Sequence, residues 1–139
     1  MRATYSHPIK AGAIYFALVF ALGFVLGTIR VLWLVPATGE TAAVLIEQPI
    51  MLTASWFAAG WLVRRHGLVT KGARAAMGAV ALMLLFIAEP MLAYALFGQS
   101  PADWLRGVFT MPGPIGLAGQ IAFGLMPLLI PHRLTNWER

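Results

Sequence analysis

The chain contains no cysteine, which excludes disulfides, thiolate metal sites and a cysteine nucleophile. Charge is almost as scarce. Asp, Glu, Lys and Arg make up 11% of the 139 residues, whereas a soluble domain devotes about a quarter of its residues to charge. Such a surface suits lipid, because acyl tails do not penalise exposed Leu, Phe or Val. The 3 histidines, His7, His66 and His132, stand apart at the edges of apolar runs. None has a carboxylate at ligand spacing, so no metal site is expected. No Ser–His pair, phosphate-cradling glycine loop or zinc motif occurs, and no cofactor is called for.

What is abundant is apolar sequence: 60% of the chain is hydrophobic. It falls into four runs, at about residues 11–35, 41–63, 75–98 and 115–130. A bilayer core about 30 Å thick needs about 20 apolar residues per helix, so each run is a span candidate. The first run is too long for the apolar core of a signal peptide, and three more follow it, so it is read as a retained helix. Pro36, Thr38 and Gly39 punctuate the first turn. Arg64-Arg65-His66-Gly67 ends the second run, and Pro131 ends the fourth. The expected fold is all-α: one integral membrane domain, residues 1–139, forming a four-helix antiparallel bundle. Between the third and fourth runs, the wetter stretch Gln99–Pro114 reads as a short interfacial helix and a rigid turn.

Orientation follows from the basic residues. Of the 10 Lys and Arg, Arg30 lies inside a run. Arg2, Lys10, Arg64, Arg65, Lys71, Arg74, Arg133 and Arg139 share one side of a four-span arrangement, and Arg106 stands alone on the other. By the positive-inside rule both termini are cytoplasmic in a multi-pass protein of a bacterial-type inner membrane. Trp33 and Trp104 then mark the outer interface, Trp61 and Trp137 the inner one. The net charge of +5 is spent on topology. The basic residues form no stripe interleaved with aromatics, so nucleic-acid binding is not expected.

Three ionisable residues lie within the runs: Arg30, Glu47 and Glu89. Each costs about 2.5–3.5 kcal/mol or more at mid-bilayer, so partners or a purpose are expected. At about 1.5 Å per residue, Arg30 and Glu47 lie roughly 9 Å, and Glu89 roughly 13 Å, from the outer ends of their helices. Gln120 of the fourth run falls in the same zone. One polar residue from each helix is thus expected to converge as a ligand- or ion-binding layer. Met51, Ser55 and Met91 are candidate lining residues, and Asp103, Trp104 and Arg106 form a candidate cap. Gly23, Gly27, Gly116 and Gly124 are candidate packing residues, since small side chains let membrane helices approach closely. Pro49 and Pro90 follow the two glutamates and free the carbonyls of Leu45 and Phe86.

One arginine against two carboxylates leaves a charge of −1 for a proton or cation to balance. The first reading is therefore a membrane protein that binds or transports a small ligand, proton or cation. A second makes the same residues glue for a homo-oligomer or an accessory subunit of a larger membrane complex. A third is an enzyme acting on lipids, and it ranks last because no nucleophile is supplied.

Overall fold

The computed structural model describes residues 7–131, and Arg2, Arg133, Arg139, His132 and Trp137 lie outside that range. Regular structure among the described residues is entirely helical. Helix α1 runs from Pro8 to Thr38, α2 from Glu40 to Arg65 and α3 from Lys71 to Phe97. A short α4, Pro101–Val108, meets α5, Gly113–Leu129, at 87°. Helices α1, α2 and α3 are each long and apolar enough to cross a membrane. A fourth span is reached if the bent α4–α5 pair is taken as one. The chain is thus a multi-pass membrane protein by the length and composition of its helices.

Local chemistry sets the boundaries. Pro8 starts α1, where a missing N–H costs nothing. Pro36 does not end the helix, as the sequence suggested. Instead the preceding turn, Arg30–Leu34, widens to π-helical geometry, with the Val35 N–H reaching the Arg30 carbonyl, and the helix continues to Thr38. Widening there accommodates a proline that lacks a donor and crowds the carbonyl four residues back. Gly39 alone then makes the turn to α2 at φ 88°, a conformation that a side chain would oppose. Thr70 caps α3 by accepting from the Ala73 N–H at 3.1 Å, and Ser100 caps α4 by accepting from the Asp103 N–H at 3.1 Å.

The four long helices form a ring. Helix α1 packs on α2 and α3, and α5 packs on the same two. Helices α2 and α3, though joined by the short His66–Thr70 loop, each pack mainly on α1 and α5. The buried core sits in one half of this bundle. Ala11, Tyr15 and Val19, Ala59, Leu62 and Val63, Leu68, Met77 and Ala81, and Phe123, Met126 and Ile130 all belong to the end that carries the start of α1 and the His66–Thr70 loop. Backbones approach closely there. A Cβ on Gly12 would meet the Met77 carbonyl oxygen at 2.7 Å, and one on Gly78 would overlap the Gly124 carbonyl.

Two buried polar residues pin this half. Arg74 is 4% exposed; its Nε donates to the Leu68 carbonyl and its Nη1 to the Ile130 carbonyl, both at 2.8 Å. It therefore joins the connecting loop to the end of α5. Tyr15, fully buried, donates to the Phe123 carbonyl at 2.8 Å across the bundle. That carbonyl is special because the residue four positions on is Pro127, which has no N–H to give it. The two rings also stack, with centroids 4.3 Å apart.

Candidate functional site

The other half of the bundle is not filled. A cavity of about 560 Å³ lies between α1, α2, α3 and α5, within the roughly 300–1,000 Å³ range of small-molecule sites. Phe16, Val19, Ser55 and Phe123 line its closed end, next to the Tyr15 plug. Arg30, Glu47, Glu89 and Gln120, one from each long helix, all line it.

These four residues form two cross-helix pairs. Arg30 Nη1 lies 3.1 Å from Glu47 Oε2, joining α1 to α2. The approach is off the hydrogen-bonding direction, so this buried oxygen has a neighbouring cation but no hydrogen-bond donor among the described residues. Gln120 Nε2 donates to Glu89 Oε1 at 2.6 Å, joining α5 to α3. The π-helical turn begins at Arg30, so the irregular stretch of α1 coincides with its only described charge above Lys10. π-bulges recur at functional sites because they re-aim one side chain within a continuous helix.

A second polar residue of α2 joins this layer. Gln48 lines the cavity, and its amide rests on Gly119 of α5, in space that a Cβ would take. Sequence reasoning passed over it. The available signal was its place beside Glu47, but nothing local marked Gly119 as the flat surface opposite. Ser55 is 2% exposed, and its hydroxyl donates to the Met51 carbonyl at 2.7 Å. It therefore presents only oxygen lone pairs to the cavity.

Among the expected lining residues, Met51 and Ser55 border the cavity, whereas Met91 does not. Met91 is 65% exposed, because two residues along a helix from Glu89 point it to nearly the opposite face. The expected cap divides similarly. Asp103 and Arg106 pair with each other at 3.3 Å on the exposed side of α4, an i,i+3 contact worth little in water. Trp104 turns inward. With Gln99, Gly107, Val108, Gly113, Gly116 and Leu117 it encloses a second cavity of about 270 Å³, which Glu89 and Gln120 also line. The Glu89–Gln120 pair thus borders both cavities, one inside the bundle and one beneath α4.

The candidate packing glycines fall into two groups. Gly124 faces Leu82 at 3.0 Å and receives Gly78. Gly23, Gly27 and Gly116 border the main cavity instead; a Cβ on Gly23 would meet only Met51 Cε at 3.3 Å, on Gly27 only Arg30 Nη2 at 3.7 Å, and on Gly116 nothing within 4 Å. Small residues here leave room. Leu45 and Phe86, whose carbonyls the prolines free, are not among the cavity-lining residues.

No family model, curated protein or solved structure matches this chain. The site must therefore be read from its own chemistry. Its donors are the guanidinium of Arg30 and the amide nitrogens of Gln48 and Gln120; its acceptors are two carboxylates, the two amide oxygens and the Ser55 oxygen. With both carboxylates ionised the layer carries one positive and two negative charges, a balance suited to receiving a proton or a cationic, hydrogen-bond-donating group.

Proposed function

We propose that this chain is a small binding or transport-type protein of a bacterial-type inner membrane, with both termini cytoplasmic. The polar layer of Arg30, Glu47, Glu89 and Gln120 would hold a small ligand, proton or cation in the half of the bundle that faces outward. The observation that carries the reading is convergence: four polar residues on four separate helices line one unfilled cavity. A network serving only packing would be expected to close that space, since membrane helices associate by close van der Waals contact. The orientation rests on the uneven distribution of Lys and Arg, with Lys10, Arg64, Arg65, Lys71 and Arg74 near the end of the bundle that is closed and well packed.

The test is thermal unfolding of purified protein, wild type against Glu89→Gln, across pH, cations and lipid extracts. Stabilisation of wild type but not of the variant supports a binding layer. A variant that simply melts earlier, with no compound stabilising either protein, favours the second reading, a structural or assembly role. That reading draws on the pairing itself, because Arg30–Glu47 and Gln120–Glu89 each tie two neighbouring helices. An enzymatic reading gains no support from the cavity, whose lining offers no activated nucleophile.

A further inference from the structure

At the level of the polar layer three of the four helix seams are closed by named contacts. Arg30–Glu47 closes α1 against α2. Gln48 on Gly119 closes α2 against α5. Glu89–Gln120 closes α3 against α5. The fourth seam, α1 against α3, is packed along the lower part of α1, where Gly12 meets Met77 and Val80, but the π-helical turn Arg30–Leu34 leans on α2 rather than on α3. Higher up, Phe24, Val31 and Leu32 of α1 and Leu96 and Phe97 of α3 line the cavity while 51–77% exposed. A wall residue that is also an outer-surface residue marks an opening, and this one faces the lipid.

We infer that the gap between α1 and α3 is a lateral portal through which a single-chain amphiphile with a cationic, hydrogen-bond-donating head enters from the bilayer. This rests on the binding reading above and names the class of ligand. The chain of such a molecule matches the apolar part of the cavity lined by Phe16, Val19, Phe20, Leu52 and Leu85. Its head matches the polar layer in two ways. A primary ammonium can donate to the carboxylates of Glu47 and Glu89, both of which line the cavity, and when both are ionised its charge offsets the one that Arg30 leaves unbalanced. A fatty carboxylate would bring a third negative charge to a single arginine and so fits poorly. Entry from the side also spares the ligand a passage through water, which a long apolar chain resists.

Photo-crosslinking in phosphatidylcholine nanodiscs tests this. The probe is hexadecylamine carrying a diazirine within its chain, and labelled residues are mapped by mass spectrometry. Label should concentrate on the cavity-facing residues of α1 and α3, and hexadecylamine should compete for it where hexadecanoate does not. Ala93→Trp, which fills the portal, should lower cavity labelling about tenfold, equivalent to about 1.4 kcal/mol of binding. Leu129→Trp, at a site 63% exposed on α5, should leave it unchanged. Val31→Trp narrows the same passage from α1, at a lining position 54% exposed, and serves if Ala93→Trp does not fold. Label spread evenly over outward-facing residues such as Leu129, or equal competition by hexadecanoate, overturns the proposal. If ethylamine stabilises the protein but the long-chain probe never labels the cavity, the polar layer binds ligand and the lateral portal is wrong. Absence of any response to short or long amines and acids removes both.

Discussion

Tyr15→Phe offers a sharp test of the packing logic. The substitution deletes one hydroxyl and leaves the ring, so the stack on Phe123 at 4.3 Å is preserved. What disappears is the donor to the Phe123 carbonyl, which lies 2.8 Å away and which Pro127 leaves without its helical N–H. Stranding a buried acceptor costs about 1–3 kcal/mol in water-soluble proteins. Hydrogen bonds between membrane helices average about 0.6 and reach about 1.7 kcal/mol, because the unfolded chain in lipid finds other partners. This acceptor has no local substitute, so the expected loss lies near the upper figure, about 1–1.5 kcal/mol. Pro127→Ala returns an N–H four residues after Phe123, and in that background Tyr15→Phe should cost little. The double-mutant cycle, followed by circular dichroism during denaturant titration in mixed micelles, should therefore give a coupling of about 1 kcal/mol. Additivity to within about 0.3–0.5 kcal/mol would refute the reasoning, as would a neutral Tyr15→Phe.

Other expectations follow from single contacts. Gly78→Ala places a methyl in the space of the Gly124 carbonyl and should destabilise the protein by about 1–3 kcal/mol in the same titration; Gly116→Ala, with open space around it, should not. Arg74→Met strands the Leu68 and Ile130 carbonyls and should cost about 1–3 kcal/mol or more, while Arg65→Met at an exposed position should be near neutral. A reporter active only in the periplasm should stay silent when fused after Arg139 and become active when inserted at Gly39; the reverse pattern would invert the topology. Gln120→Leu removes the donor to Glu89 Oε1 and should both lower stability and change the pH dependence of ligand-induced stabilisation, whereas Leu125→Ala, half-exposed on the same helix, should change neither.

The helices were legible because lipid imposes a length and a composition that no local detail can disguise. Twenty apolar residues in a row have few alternatives, and the expected runs match α1, α2, α3 and α5 to within a few residues. The short helix α4 was legible in the wetter stretch Gln99–Pro114, with Asp103, Trp104 and Arg106. Membrane cost also made Arg30, Glu47, Glu89 and Gln120 stand out, and those residues do line one cavity. The pairings were not legible. Which glutamate meets the arginine depends on the ring order of the helices, and a run of apolar residues carries no record of its neighbours. Glycine spacing shows the reason most clearly. Gly23 and Gly27 have the same local pattern that a packing seam would have, yet they border open space, while Gly78 and Gly124, far apart in sequence, touch. A missing side chain permits close approach and permits a void equally well. Burial of Arg74 and the meeting of Tyr15 with the carbonyl freed by Pro127 likewise depend on partners about 56 and 108 residues away. Sequence alone determined that this chain crosses a membrane and which residues are costly there; tertiary structure decided whom they meet, because those contacts join helices that are distant along the chain.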